Sequence, residues 1–312
     1  MIYKIKGKLR SIKKRIFSRL PKGHLDAITD TFYEIVSKNM KIKRVASGFQ
    51  FTEGPIWMEN SQTLLFSDIP SSIIYRMDKK GKVGILRKPS FNSNGLTLDK
   101  QGRLIACEHG SRRLTRTEKD GAITILADKF NDKKLNSPND VIVKSDGSIY
   151  FTDPPYGIQA NEQEQPIQAV YRISIKTGIM DVVADDFECP NGLAFSPDES
   201  KLYIDDSSPS RRHLRVCEVR EDGTLGTGQI FCDMNIKTPG SPDGMKLDQA
   251  GNIYCTGPGG IWVLDSSGHH LGTVVTPEPP ANCAWGDDGQ TLYITAQTSV
   301  YKIRTTVSGI KV

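Results

Sequence analysis

The sequence lacks several features that would place it quickly in a class. No apolar run approaches the roughly 18 residues of a membrane-spanning helix. A GxSxG elbow, a P-loop and a GxGxxG fingerprint are all absent, which argues against a serine esterase, a nucleoside triphosphatase and a dinucleotide-binding enzyme. The start of the chain has no apolar segment typical of a secretory signal, so we expect a cytoplasmic protein.

The cysteines contain no CxxC pair and no zinc-ligand spacing. They are Cys107, Cys189, Cys217, Cys232, Cys255 and Cys283. Because Cys107 and Cys255 lie in apolar, strand-like runs, we expect reduced thiols that pack as small hydrophobic side chains.

Positive charge is confined to the beginning of the chain. The net charge is +5, but residues 1–45 carry 13 Lys/Arg against 3 Asp/Glu, which leaves the remainder at −5. A nucleic-acid-binding protein needs basic residues across its body, so we expect no nucleic-acid partner.

Residues 1–40 are predicted to form a basic, amphipathic N-terminal helical extension. Apolar residues recur every three or four positions from Ile2 to Leu20, and lysines occupy the other directions. Such a helix either makes peripheral contact with an anionic membrane surface or a partner, or packs its apolar stripe on the body. Leu25, Ile28, Phe32 and Val36 predict a second short helix.

The rest of the chain, 41–312, contains one unit six times. The copies begin "EGPIW", "NGLTL", "NDVIV", "NGLAF", "DGMKL" and "NCAWG", at spacings of 41, 45, 52, 52 and 39 residues. Each copy reads as an apolar strand, a polar turn and a second strand, and a further hairpin follows it. Four antiparallel strands per unit predict an all-β protein, a six-bladed β-propeller. The strand-like run at 41–49 lies outside the six units, so we expect the two chain ends to share a blade.

Each repeat begins with a side chain that carries an oxygen ligand. These strand-initial residues are Glu53, Asn94, Asn139, Asn191, Asp243 and Asn282. Because the first strands of a propeller line its channel, we expect the six side chains to meet at one mouth. Carboxylate and amide oxygens without His or Cys are typical of a site for a hard cation such as Ca²⁺. A single Asn-Gly pair is more often a turn, but six copies in register favour a functional ring.

A second set of polar residues follows the second strand of each unit. It comprises Asp68, His109, Asp153, Asp205 with Asp206, Thr256 and Gln297. Strand alternation does not show whether these side chains face the same mouth, so they are secondary candidates.

Four motifs resemble one known family. "EGPIW", "NSPNDVIVKSDGSIYFTDPPYG", "PNGLAFSPDESKLYIDDS" and "SPDGMKLDQAGNIYCTGPGGIWVLD" are similar to the gluconolactonase branch of the senescence-marker-protein, gluconolactonase and luciferin-regenerating-enzyme family. The resemblance covers about residues 45–305. It implies a six-bladed propeller with one catalytic divalent cation, usually Ca²⁺, at the channel mouth, with Mg²⁺, Mn²⁺ and Zn²⁺ as alternatives.

The resemblance also implies roles for individual residues. The metal ligands would be Glu53, Asn191 and Asp243, with Asn139 as a further ligand or a substrate contact. The other substrate-binding candidates are Asn94, His109, Asp140, Tyr156 and Asp206. Ser137 stands where animal members carry an Arg, which favours the bacterial pattern, and Asn94 stands where paraoxonases carry a catalytic His.

The implied function is that of a metal-dependent lactonase, which hydrolyses a small-molecule lactone substrate, namely a sugar lactone such as gluconolactone. A cation can polarise the lactone carbonyl for attack by water. The catalytic candidates are Asp243, as the leading base, and Asn139; Asp140 and Asp206 are alternative bases. Two other readings stay open: a phosphotriester hydrolase that uses the same metal, and a non-catalytic propeller with a structural Ca²⁺.

Overall fold

The computed structural model describes residues 21–311 as a closed ring of six sheets. The described residues begin with strand β1 (His24–Ala27), the short helix α1 (Thr31–Ile35) and strand β2 (Lys43–Ser47). The predicted amphipathic helix before residue 21 lies outside the described residues. No helix within 21–311 is long and apolar enough to cross a membrane.

Each blade contains four antiparallel strands, which are ordered from the innermost strand at the channel to the outermost strand at the rim. Blade 1 holds β3 to β6, which are Thr52–Met58, Thr63–Asp68, Ile73–Asp78 and Val83–Arg87. Blade 2 holds β7 to β10, which are Ser93–Leu98, Leu104–Glu108, Arg113–Thr117 and Ile123–Ala127. A two-stranded ribbon follows, with β11 at Lys129–Phe130 and β12 at Lys133–Lys134.

The third and fourth blades repeat this arrangement. Blade 3 holds β13 to β16, which are Val141–Val143, Ile149–Asp153, Gln168–Ile173 and Met180–Phe187, with a 3₁₀ turn at Ala160–Glu162 between β14 and β15. Blade 4 holds β17 to β20, which are Pro190–Phe195, Lys201–Asp206, His213–Glu218 and Gln229–Asp233. The prediction of a six-bladed all-β propeller is confirmed.

The last two blades incorporate the beginning of the chain. Blade 5 holds β21 to β24, which are Met245–Leu247, Ile253–Gly257, Gly260–Leu264 and His270–Val275, with β1 added at its outer edge. Blade 6 holds β25 to β27, which are Asn282–Gly286, Thr291–Ala296 and Ser299–Arg304, and β2 is its fourth strand. The two ends of the chain therefore share a blade, as predicted.

The second predicted helix is confined to α1. Leu25 belongs instead to β1, where its side chain alternates with His24 and Asp26, and Ile28 is exposed. Two-residue alternation, which favours a strand, competes here with the three-to-four-residue spacing that suggested a helix. Residues before 41 thus contribute to the propeller, because β1 pairs with β24 and Phe32 packs between blades 5 and 6.

Hydrophobic packing joins each blade to the next. Among the described residues, six clusters of buried apolar side chains fill the six junctions between neighbouring blades. At the closing junction, Trp57 of blade 1 stacks on Tyr293 of blade 6 with ring centroids 5.6 Å apart. This packing fixes the inner strands around the channel, and so fixes the residues that begin them.

Candidate active site

The strand-initial side chains converge on a cavity at one mouth of the channel. Its volume is about 350 Å³. The predicted site residues that line it are Glu53, Asn94, His109, Asn139, Tyr156, Asn191 and Asp243. Asp140 and Asn282 are buried behind this surface, and Asn282 Nδ2 donates to Glu53 Oε2 at 3.1 Å. The structure therefore brings seven of the predicted residues to one place.

The strand-initial side chains lie where the pairing of the inner strands is irregular. In blades 1, 2 and 4 the register of the innermost strand shifts around the ring residue, between Glu53 and Ile56 in blade 1. Bulges of this kind change the direction of a side chain and are common beside active sites.

Glycine follows the ring residue in four blades because neighbouring blades approach each other closely there. These glycines are Gly54, Gly95, Gly192 and Gly244. A β-carbon on Gly54 would lie 2.0 Å from the carbonyl oxygen of Asn94, and one on Gly192 would lie 2.1 Å from that of Asp243. The Asn-Gly and Asp-Gly pairs thus mark blade contacts around the axis.

Three amides of the ring form a directional hydrogen-bond chain. Asn94 Nδ2 donates to Asn139 Oδ1 at 2.6 Å, and Asn139 Nδ2 donates to Asn191 Oδ1. His109 Nε2 lies 3.1 Å from Asn139 Oδ1. Since an amide oxygen only accepts, this ring nitrogen is the donor. Burial lowers the pKa of His109 to about 4, so its imidazole is neutral at pH 7.

The carboxyl groups of the site have few hydrogen-bond donors or positive charges that would offset the cost of ionising them. Burial raises the pKa of Glu53 to about 7, although the Gly54 N–H donates to its carboxylate at 2.6 Å. Burial also raises the pKa of Asp243, and the nearby Glu53 and Asp140 raise it further. Oδ2 of Asp140 and both carboxyl oxygens of Asp205 are buried without a hydrogen-bond partner among the described residues. Ionisation of these carboxyl groups is therefore unfavourable in the chain alone, and a cation at the mouth would favour it.

Three acidic residues of the second set bind the backbone that precedes a strand-initial residue. Asp206 accepts from the N–H groups of Glu188 and Cys189 at 2.8 and 3.0 Å, three and two residues before Asn191. Asp68 and Asp153 make the same two contacts before Glu53 and Asn139. We call these three residues the loop clamps.

The clamp geometry corrects the assignment of Asp206 as a substrate contact or base. Its side chain is fully buried, and its carboxylate also accepts from the Ser208 N–H at 3.1 Å. Thr256 likewise uses its hydroxyl within the fold, donating to the Ala281 carbonyl at 3.3 Å, and Gln297 accepts from Thr52 N–H through its backbone carbonyl. Only His109 of the second set lines the cavity.

The cavity also has lining residues that the sequence reasoning missed. They are Phe51, Ile69, Ser207, Ser241 and Pro242. All five lie one or two residues from a ring residue or from the end of a second strand. Their positions next to strand ends are the sequence signal that could have predicted them.

The donor set at the mouth fits a hard divalent cation. Within residues 21–311 no three His, Cys, Asp or Glu side chains are grouped to hold a metal ion, so a cation here would need amide oxygens as well. Glu53, Asn139, Asn191 and Asp243 supply two carboxylates and two amides. Asn191 Oδ1 accepts one hydrogen bond and keeps a lone pair, whereas Asn139 Oδ1 accepts two and would exchange one of them for a cation. Such an all-oxygen set suits Ca²⁺ better than structural Zn²⁺.

Fold and site together define a six-bladed β-propeller with an oxygen-lined cavity at one channel mouth. Residues 51–298 match the family model described as the SMP-30/Gluconolactonase/LRE-like region. The chain belongs to this family, and the resemblance seen in the sequence is confirmed.

Individual relatives agree with this assignment. A gluconolactonase of Zymomonas mobilis is 32% identical over 310 residues, which cover 91% of this chain and 85% of that protein. Pentonolactonase XacC of Haloferax volcanii is 25% identical over 264 residues, covering 82% and 85%.

Two solved structures are similar to the propeller. XC5397 of Xanthomonas campestris, described as a gluconolactonase, has a TM-score of 0.84 and 30% identity, and the match covers 91% of this chain and 98% of that one. Regucalcin of Agrobacterium tumefaciens, described as a calcium-binding protein, has a TM-score of 0.74 over 87% and 96% of the two chains. At 18% identity the second match shows the shared fold only.

Proposed function

We propose that this protein hydrolyses sugar lactones, as its relatives named gluconolactonase and pentonolactonase do. The observation that carries the proposal is the convergence of Glu53, Asn139, Asn191 and Asp243 on one cavity at the channel mouth. A volume of about 350 Å³ accommodates a single sugar-sized ring.

The same four residues would hold a divalent cation, and Ca²⁺ is the cation we propose. When bound, it would polarise the lactone carbonyl and stabilise the negative charge that develops on the carbonyl oxygen. The unpartnered oxygens of Asp140 and Asp205 support the proposal, because these buried carboxyl groups lack donors that would offset their ionisation, and a nearby cation would offset it.

The chain supplies the groups that position substrate and move the proton. Asp243 borders the cavity, and its carboxylate would accept a proton from the attacking water. A bound cation would lower the pKa of Asp243, which burial raises in the chain alone. Asp140 is the alternative base, whereas Asp206 is already occupied by backbone donors. Asn94 and Asn139 each have a second amide hydrogen that they would donate to substrate oxygens, whereas neutral His109 uses its N–H on Asn139 and would hold that amide in place beside the substrate.

Parallel rate measurements on δ-gluconolactone and paraoxon test the proposal. The assays would follow chelation and then re-addition of Ca²⁺, Mg²⁺, Mn²⁺ or Zn²⁺, with spontaneous hydrolysis subtracted. We expect cation-dependent hydrolysis of the lactone. Faster turnover of paraoxon would establish a phosphotriesterase, and turnover of neither compound would establish a non-catalytic propeller.

The N-terminal predictions are separate from the active site. Residues 1–20 carry eight Lys/Arg and no Asp/Glu. Their peripheral contact with anionic membranes, like the cytoplasmic location, stays a prediction. Binding of the full chain, but not of a chain without residues 1–20, to phosphatidylglycerol vesicles would support it.

A further inference from the structure

A tyrosine from blade 3 reaches across the mouth to blade 4. Tyr156 lies in the connection between β14 and β15, 46% exposed, and lines the cavity. Its hydroxyl is hydrogen-bonded to Oγ of Ser207, which follows β18 of the neighbouring blade. The large aromatic side chain is thus held by its polar end while much of its ring remains accessible.

The backbone beside Tyr156 is fixed by close contacts. The Gly157 N–H donates to Ser137 Oγ at 2.9 Å. A β-carbon on Gly157 would lie 2.3 Å from Ser137 Oγ and 2.7 Å from the β-carbon of His109. Tyr156 is therefore held in place by its own connection as well as by Ser207.

Ser207 links this tyrosine to the amide chain of the ring. Its Oγ donates to the Cys189 carbonyl at 3.3 Å and accepts from Asn191 Nδ2 at 3.5 Å. Because the Ser207 proton is used on Cys189, Tyr156 is the donor in the pair. The Tyr156 oxygen then keeps its acceptor lone pairs for a hydroxyl group that enters the cavity.

The two sides of the cavity differ in polarity. Phe51 and Ile69 belong to the blade 1 side, and in a ring of six blades blade 1 lies opposite blade 4. The side that carries Tyr156 and Ser207 therefore faces two apolar side chains, which lie beside Glu53. A ring with hydroxyl groups along one edge would be oriented by this contrast.

We propose that Tyr156 and Ser207 form a subsite that binds a ring hydroxyl of the substrate and selects hydroxylated lactones over alkyl lactones. The inference rests on the proposed lactonase function and specifies its substrate class. A site built to pair with a hydroxyl rejects an analogue without one, since its own polar groups are then left unpaired. The Tyr156 ring adds an apolar face for the C–H groups of the sugar.

Kinetics with two lactones of the same ring size test the subsite. δ-Gluconolactone carries hydroxyl groups and δ-valerolactone carries none. We expect Tyr156→Phe and Ser207→Ala each to lower kcat/KM for δ-gluconolactone about three- to tenfold, mainly through KM, and to change δ-valerolactone less than about twofold. Ser210→Ala is the matched control, because Ser210 bonds to Ser208 and Glu188 in the same loop and does not line the cavity.

The outcomes separate this inference from the function on which it rests. An equal loss on both lactones would show that the pair merely holds Asn191, and no loss on either would show that it does not contact substrate; each result overturns the subsite. Hydrolysis of neither lactone by the unmodified protein would reject the lactonase function and the subsite together. Tyr156→Phe removes one surface oxygen only, so it decides the matter even if Ser207→Ala fails to fold.

Discussion

At the scale of single residues, the loop clamps show that an acidic side chain can serve the site without entering it. Asp206, Asp68 and Asp153 each bind two successive backbone N–H groups before a ring residue. This contact places the start of the inner strand, and hence the ring side chain, at the channel mouth.

The clamps yield a stability prediction. Asp206→Ala leaves one buried and two partly buried backbone donors without their acceptor, so we expect it to lower the free energy of unfolding by about 2 kcal/mol. Asp68→Ala, at the equivalent position of blade 1, should lower the free energy of unfolding by a similar amount, as measured by urea denaturation. A raised KM for Asp206→Ala alone, with unfolding unchanged, would instead place Asp206 on the substrate.

Glu53 gives a prediction about pH and metal removal. Burial raises the pKa of Glu53 from 4.5 to about 7. Between these values the folded chain binds more protons than the unfolded chain, so the stability of the chelated protein should fall as pH rises from 4.5 through 7. Ca²⁺ should restore stability most strongly above pH 7, where Glu53 is ionised.

Thermal unfolding of the chelated protein at several pH values would measure this effect. Glu53→Gln is the matched variant, because it keeps the side-chain shape and removes the titration. We expect a flatter pH dependence for Glu53→Gln. Identical slopes for the two proteins would refute the assigned role of Glu53.

At the scale of elements, the glycines beside the ring set the distance between blades. We expect Gly192→Ala to destabilise the protein and displace Asp243, since the added carbon would meet the Asp243 carbonyl at 2.1 Å. Gly84→Ala is the control, because its nearest neighbour would be an Arg76 side-chain atom at 3.6 Å. Both activity and unfolding should change only for Gly192→Ala; an active, stable Gly192→Ala protein would contradict the close approach.

Sequence periodicity predicts the six blades, but it does not predict every strand of the fold. Repeated hairpins predicted the inner strands, because alternation and turn residues are local signals. Strand β1 was missed because its partner β24 lies some 250 residues away and only tertiary pairing selects a strand there. For the same reason the sequence could place Asp206 at a strand end but could not show that backbone donors occupy its carboxylate.

At the scale of the whole molecule, residues 24–47 close the ring. Strand β2 completes blade 6, and α1 packs Phe32 into the junction of blades 5 and 6. We expect a chain that starts at residue 48 to aggregate, because it leaves an unpaired sheet edge and an open apolar cluster. A chain that starts at residue 21 should match the full chain in the thermal unfolding of the propeller; equal stability of both truncations would contradict closure by β2.

The central claim is that one divalent cation binds at the mouth through Glu53, Asn139, Asn191 and Asp243. Calorimetric titration of Ca²⁺ into the chelated protein tests it most directly, with Asp243→Ala and Asn191→Ala compared under the same conditions. The account predicts one ion per chain for the unmodified protein and strongly weakened binding in both variants. Unchanged Ca²⁺ binding by the two variants, or no binding of Ca²⁺, Mg²⁺, Mn²⁺ or Zn²⁺ by the unmodified protein, would contradict it.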